Sequence, residues 1–577
     1  MKKTIRPRPS ITIPLGLSSL NPLLAKIYAS RGVQEAGDIE RTLKSLAPAQ
    51  SLRGLEAALA LLETALRQRQ RILIIGDFDA DGATSSVLAV LALRAMGAAH
   101  VDYLVPNRFE YGYGLTPEIV AVALRDKQPE LIITVDNGIA SHEGVAAAQA
   151  AGVKVLITDH HLPGHSLPAA DAIVNPNQPG CEFSSKNLAG VGVVFYLLSS
   201  LRTRLKDSGW FVERGKPEPN MAEFLDIVAL GTVADVVVLD RNNRILVQNG
   251  LARIRAGRCR PGISALLKVG KRSADKLVAT DLGFVVAPRL NAAGRLDDMC
   301  HGIECLLTDN QALAAQYAEE LDALNQERRD IEADMQQQAL LALRALQFNE
   351  RSVPHGITLF DANWHQGVIG ILAGRIKDRT HRPVIAFAPA GDGVLLKGSA
   401  RSIPGVHIRD VLDYVATQNP GLITRFGGHA MAAGLSLPQG NLAIFREAFS
   451  AAVEKMVDRA DLEAVLLSDG ALPAEYFSES FADLLREAGP WGQGFPEPLF
   501  HGDFDLVDQR VLKEKHLRMT LRQPGSERLL EAIAFNIDRE HWSSGTERVR
   551  LAYRLDINEF RGARTLQLRV EYLEALA

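Results

Sequence analysis

Between residues 52 and 240 the chain alternates short, β-rich apolar runs with longer stretches rich in alanine and leucine. The runs "RILIIGD", "HVDYLVP", "LIITVDNG", "VKVLITDHH" and "AIVNP" read as strands, each closed by polar or turn residues. The segment "ATSSVLAVLALRAMGA" after the first run reads as a helix. Strands separated by helices predict a parallel, doubly wound sheet. Binding groups in such sheets collect beyond the carboxyl ends of the strands, so the residues that close each run are where chemistry is expected.

Those residues are acidic. "GDFDADG" sets Asp77, Asp79 and Asp81 at alternate positions, and alternation puts them on one side while the chain stays extended, with Gly82 turning it into the next helix. "TVDNG" supplies Asp136, "TDHH" supplies Asp159, His160 and His161, and "LGTVADVV" supplies Asp235 as a fourth strand end. Like charges this close cost free energy unless a cation sits among them. Carboxylates with one or two imidazoles suit Mn²⁺ or Mg²⁺, whereas a zinc site more often recruits cysteine or several histidines. Two such ions about 3.5–4 Å apart, bridged by a carboxylate, are the usual means of phosphoester hydrolysis. Any one of these aspartates alone could be a turn or N-cap residue. Four motifs in order, one of them Asp-His-His, outweigh that reading.

A chain of 577 residues exceeds one hydrophobic core, so three or four domains are expected. Hydrophobic residues at 47% and charged residues at 23% are ordinary for a soluble globular protein. The net charge of -4 gives no global signal for nucleic acid, yet allows a local basic groove. Four cysteines without a CxxC pair fit a reduced, cytoplasmic setting. The start, "MKKTIRPRPSITIPLG", has prolines where a signal peptide needs an apolar core, and no apolar run reaches the roughly 18–20 residues that cross a bilayer. Residues 308–347 lack Gly and Pro and read as one long helix between domains. A second α/β region follows from about 353 to 455, with strands such as "GITLFDA" and "PVIAFAP". From about 465 alternating runs and turn signals predict a small β-barrel.

"DFDADGATS", "VDNG", "TDHH" and "GTVADVV" resemble the four motifs of the DHH phosphoesterase family, and over nearly the full length the chain is similar to that family's bacterial single-strand-specific 5′→3′ DNA exonucleases. The resemblance implies an N-terminal segment (1–50), a DHH catalytic domain (51–305), a connecting helix (306–348), a DHHA1 substrate-binding domain (349–457) and an OB-fold-like nucleic-acid-binding domain (458–577). It implies two ions, manganese or magnesium. Asp79 would serve one, Asp81, His160 and Asp235 the other, and Asp136 would bridge; Asp77 and His161 stand behind these ligands or act as a proton shuttle. Many smaller members have a histidine where this chain has Ile75, so either Asp77 compensates or the first ion is held more weakly.

For substrate, "PRLNAAGRLDD" offers Arg289, Asn291 and Arg295 among small residues, Arg295 resembling the family's phosphate-gripping motif. "GSARSIPGVHIRD" and "RFGGHAMAAG" resemble the DHHA1 domain, which implies phosphate contacts from Ser399, Arg401, Ser402 and His429; Trp364, His365 and Arg375 match another of its stretches. Arg108 in "VPNRFEYGYGL" is a candidate for a nucleotide or 5′-phosphate pocket, with Tyr111 and Tyr113 as packing groups. Lys513, Lys515, His516, Arg518 and Arg522 form either a single-strand-binding face or a solvated strand. The function implied is metal-dependent degradation of single-stranded DNA to 5′-mononucleotides in recombination and mismatch repair, by a monomer acting with single-strand-binding protein and a RecQ-type helicase. Two other readings compete with it. The basic tail opposes a small-substrate phosphoesterase, and the intact acidic motifs oppose a binding scaffold with an inactive core.

Overall fold

The computed structural model describes residues 3–107, 114–345, 354–391, 393–513, 515–537, 542, 545–560 and 563–576, the side chains of 342–345, 459 and 560 excepted. Arg108, Tyr111 and Tyr113 lie outside the described residues. The chain forms two compact units, one of Pro9–Asn325 with Ser478–Pro498, the other of Met1–Arg8, Gln326–Phe477 and Leu499–Ala577.

In the first unit five strands lie in the order His100–Leu104, Arg71–Gly76, Leu131–Val135, Lys154–Thr158, Ala172–Val174, and every neighbouring pair is parallel. Ile72, Leu73, Ile74 and Ile75 are all buried, as in a strand covered on both faces. Each such side chain contributes about 1.5–3 kcal/mol by leaving water. The strand order reverses between Arg71–Gly76 and Leu131–Val135, which opens a crevice at the carboxyl edge. Register then does the positioning. Gly76 pairs with Val135, and Val135 with Thr158, so Asp77, Asp136 and Asp159 leave three adjacent strands at one level.

Three local expectations are corrected. The first strand ends at Gly76, and a helix, Ala80–Ala95, already begins after Asp79. The three aspartates therefore converge through a tight strand-to-helix turn and not through extended alternation. Gly82 lies inside the helix, where a Cβ would stand 2.4 Å from the Asp77 carbonyl oxygen; it allows close approach and is not the turning residue. Asp235 does not end a strand either: it follows the helix Leu225–Ala234. That segment, "LDIVALGTVA", is apolar nearly all round because it packs against the helices Ala80–Ala95, Gly190–Asp207 and Arg241–Arg255, and a short run without polar positions has no period to separate helix from strand.

The long helix Gln311–Ala345 carries the chain into the second unit. There a five-stranded sheet runs Arg425–Gly428, Ala432–Pro438, Leu395–Arg401, Val384–Pro389, Ile357–Phe360, antiparallel except for the last pair. Phe387, Phe445 and Phe449 centre its core. The strands Phe500–Leu512, His516–Arg522, Leu529–Ala534, Ala563–Leu576 and Arg548–Phe560 close into a barrel around Phe500, Phe504 and Tyr553. The N-terminal strand Thr4–Pro7 pairs in parallel with Val465–Ser468.

Candidate metal centre

Each acidic side chain is held by backbone that the sequence shapes for it. Asp79 is the N-cap of Ala80–Ala95, and its Oδ1 accepts from the amides of Asp81 (2.9 Å) and Gly82 (3.0 Å). Asp81 is fully buried. Its Oδ2 accepts from the Gly190 amide at 2.6 Å and its Oδ1 from the Val191 amide at 3.0 Å, at the start of the helix Gly190–Asp207. That helix has no side-chain cap of its own, so Asp81 supplies the negative charge its N-terminus favours. Asp136 adopts φ 62°, a left-handed conformation that aspartate tolerates better than most residues. Asn137 fixes this bend, donating to the carbonyls of Ile75 (3.1 Å) and Val135 (2.9 Å). Two glycines are obligatory here: a Cβ at Gly190 would stand 2.6 Å from the Asp136 Cβ, and one at Gly231 2.9 Å from Asp81 Oδ1.

Three groupings of possible ligand atoms result, each within 4.8 Å: Asp77, Asp79 and Asp136; Asp81, His160 and Asp235; and Asp136, His160 and His161. Asp136 joins the first and third. His160 Nε2 also lies 3.1 Å from Asp136 Oδ1 and 3.5 Å from Asp235 Oδ2, which connects the second grouping to the others. Among the described residues neither His160 Nε2 nor Asp235 Oδ2 has a hydrogen-bond partner, although both atoms are buried. Polar atoms so placed fit a cation, and a carboxylate-rich set with one imidazole fits a hard divalent ion.

The electrostatics agree. Burial, then the charge of Asp235, pushes Asp81 up to about 7, and burial with the charge of Asp79 does the same to Asp235. Asp136 is raised well above the usual carboxylate range by burial and by Asp81. Burial would raise Asp159 too, but hydrogen bonds from His161, Ile139 and the His161 amide hold it low. Its Oδ1 lies 2.7 Å from His161 Nδ1, and this contact outweighs burial and lifts His161 to about 9. His160 is lowered by its own burial and by the neighbouring His161. One histidine is thus held cationic and the other neutral, the form that can donate a lone pair to a metal.

The segment "PRLNAAGRLDD" proves to be mostly helix, Ala287–Leu296, docked onto the first aspartate motif. Asn291 Oδ1 accepts from the Ala80 amide at 2.8 Å, and a Cβ on Gly294 would stand 1.9 Å from the Phe78 carbonyl oxygen. Arg295 is partly accessible one turn beyond Asn291. Arg289 is turned inward, donating to Asp322 (2.9 Å) and to the Val285 carbonyl (2.5 Å). In the second unit Arg401 donates to Ser399 Oγ at 3.1 Å beside Gly370, while Ser402 is buried and donates to the Val406 carbonyl. His429 is exposed, Arg375 pairs with Glu332 at 2.8 Å, and the Trp364 indole donates to Gln338. His365 Nδ1 accepts from the Gly367 amide. On the barrel Lys513 and Lys515 are exposed at a hairpin, whereas Arg518 pairs with Glu531 at 2.9 Å.

Sequence reasoning did not single out Asn137, Gly190, Gly231, Gly294 or the role of Asp159 in dividing the histidines. The small residues in "LAGVG", "LGTVAD" and "NAAG" were the available signal, since glycine inside an apolar helix points to close approach.

A parallel sheet with this acidic crevice at its reversal point defines a divalent-metal phosphoesterase of the DHH type. Residues 71–232 match the DHH family, N-terminal domain, residues 354–455 the DHHA1 domain and residues 468–572 the RecJ OB domain. The chain belongs to the RecJ exonuclease family. It is 55% identical to the single-stranded-DNA-specific exonuclease RecJ of Dickeya dadantii, over 99% of this chain and 98% of the relative, and 55% identical to that of Escherichia coli, over 96% of each. A solved structure of RecJ in complex with Mn²⁺ from Thermus thermophilus superposes with TM-score 0.82 at 31% identity, covering 100% of this chain and 80% of that one. The Mg²⁺ complex from the same organism gives TM-score 0.76 at 30% identity, covering 99% and 79%.

Proposed function

We propose that this chain degrades single-stranded DNA in the 5′→3′ direction to 5′-mononucleotides, with two divalent ions held by side chains that meet at Asp136. The observation that carries this reading is the convergence of Asp77, Asp79 and Asp136 on one side and Asp81, His160 and Asp235 on the other, in one buried crevice. Relatives named as single-stranded-DNA-specific exonucleases, and solved relatives bound to Mn²⁺ and Mg²⁺, support it. The first three residues would hold one ion, the second three the other, and Asp136 would reach both. When bound, such ions acidify a water molecule and offset the charge that builds on the phosphate oxygens. The protein's part is to present His160 Nε2 for ligation and to fix the His161 ring through Asp159. His161 Nδ1 is engaged by Asp159, so its Nε2 proton is the one available to a departing 3′ oxygen.

The second unit offers a surface for backbone phosphates. Gly427 pairs with Gly434 and Gly434 with Ser399 across three strands, leaving one bare row on the sheet. Lys397 and Arg401 flank Ser399 at two-residue spacing, hence on the same face, and His429 is exposed nearby in the chain. A strand can lie close to the backbone along such a row while the cations meet its phosphates. Within the second unit the barrel lysines Lys513 and Lys515 are further candidates for phosphate contact, and within the first unit Asn291 and Arg295 are candidates beside the metal centre. By family resemblance the reading also includes a cytoplasmic monomer acting in recombination and mismatch repair with single-strand-binding protein and a RecQ-type helicase.

Timed digestion of 5′- and 3′-labelled single strands and of duplex, with Mn²⁺, Mg²⁺ or EDTA, tests metal need, polarity and strandedness together. The expected result is early release of the 5′ label as a mononucleotide, from single strands only, and none in EDTA. Early loss of the 3′ label, or equal attack on duplex, contradicts the reading.

A further inference from the structure

The helix that docks on the first aspartate motif carries an accessible stripe leading from Asn291 to a solvent-exposed aromatic ring. A π-helical turn, Leu282–Val286, runs directly into Ala287–Leu296. From Phe284 to Arg295 only Phe284, Pro288, Asn291 and Arg295 are accessible, and every residue between them is buried. Spacings of four, seven and eleven residues place these side chains along one helix face. Asn291 marks the metal end of the stripe through its bond to the Ala80 amide. Seven residues of helix separate it from Phe284, about 10 Å of rise. That is about three nucleotide steps at the 3.4 Å spacing of a stacked strand.

Phe284 is 75% exposed, an unusual place for a ring of this size. Its support is rigid. Leu282, Val285 and Val286 are buried, and a Cβ on Gly283 would touch Val233 at 3.3 Å, on the helix that precedes Asp235. The ring is therefore presented outward by packed backbone that also borders the metal centre. π-turns within helices occur frequently at functional sites.

We infer that Phe284 is a base-stacking residue, its ring lying against a base of the bound single strand about three nucleotides from the bond that is cut. The inference rests on the proposed function, because it needs a single strand passing the metal centre. Stacking on an aromatic face accepts any base, which suits an exonuclease that must handle every sequence. Pro288, the next member of the stripe, extends the apolar surface under the same nucleotide.

The test uses the full chain with Mn²⁺ and a short 5′-phosphorylated strand. Phe284→Ala raises KM about tenfold, the loss of one base–aromatic stack, with kcat little changed. Phe284→Trp restores wild-type KM, and Phe284→Leu, which keeps apolar bulk without a ring, does not. A single abasic residue is then placed in turn at each of the first five positions. At one position the wild type loses about the same tenfold, and there Phe284→Ala loses nothing further. The inference is overturned if Phe284→Ala matches wild type, if Leu serves as well as Trp, or if the alanine loss persists at every abasic position. Should the alanine variant fail to fold by circular dichroism, the Trp–Leu comparison decides. If the wild type does not cut the unmodified strand, the functional reading fails. The same variants and abasic strands then go into fluorescence-anisotropy binding with Ca²⁺, which judges the stacking separately.

Discussion

The carboxyl edge of the parallel sheet and the outer face of the barrel both carry dense charge, and they balance it differently. On the barrel, Arg518 meets Glu531 at 2.9 Å, Arg550 meets Asp503 at 2.7 Å and Arg522 approaches Asp505 at 3.8 Å. These pairs are solvated and nearly neutral in sum. At the sheet edge, Asp79, Asp81 and Asp235 have no arginine or lysine partner among the described residues, and Asp235 Oδ2 instead lies 3.5 Å from the His160 imidazole. Burying carboxylates together in this way costs stability, and the fold tolerates it only where a ligand restores the balance. Unbalanced, buried charge therefore marks the chemistry, while abundant but paired charge marks a surface.

The contrast breaks most sharply at Asp136. Asp136→Ala lowers Mn²⁺-dependent cleavage at least about a thousand-fold, roughly 4 kcal/mol of barrier, while binding of a single strand changes only a few-fold. Labelled-strand kinetics beside fluorescence anisotropy measures both, and retained activity refutes the assignment. Gly190→Ala tests the backbone behind the charge, since its Cβ would meet the Asp136 Cβ at 2.6 Å. Stability falls by about 1–3 kcal/mol and Mn²⁺ affinity by about 10- to 100-fold, read by thermal melting and calorimetric titration.

A smaller effect follows from protons competing with the ion. Asp81 and Asp235 sit at about 7 in the metal-free fold, above their unfolded values. Their folded-state advantage is complete at low pH and is lost as pH rises through about 7, when both ionise unbalanced. A cation binds the ionised forms, so added Mn²⁺ raises Tm more at pH 8 than at pH 6, by roughly 1–2 °C for each kcal/mol regained. An equal shift at both values removes these carboxylates from the site. Smallest is Arg518→Ala on the barrel. Its pair with Glu531 is exposed, so stability changes by less than about 1 kcal/mol. The strand-binding salt slope also stays near wild type, whereas Lys513→Ala with Lys515→Ala lowers it by about 1.4.

The ligand types were legible in the sequence, but the route by which the chain gathers them was not. Apolar runs ending in acids disclosed the parallel sheet and its carboxyl edge, because burial on both faces leaves a continuous hydrophobic signature. The alternation of Asp77, Asp79 and Asp81 suggested an extended segment, yet the N-cap chemistry of Asp79 wins and starts a helix. Asp235 sits after a helix whose apolar surface hid its period. Arg289 shows the opposite limit: an arginine in a substrate-like motif whose guanidinium is satisfied internally by Asp322. Pairing depends on residues distant in sequence, and no local pattern reports it. The glycines at 190, 231 and 294 are intelligible only once the backbone they admit is in place.

Counting bound ions tests the central claim most directly. Titration of EDTA-stripped protein with Mn²⁺, followed by calorimetry and by the loss of free-ion paramagnetic signal, should give two sites in the wild type. Asp235→Ala should keep one, and Asp136→Ala should weaken both. A single site in the wild type, or two undisturbed sites in Asp136→Ala, would contradict a centre built around one shared carboxylate.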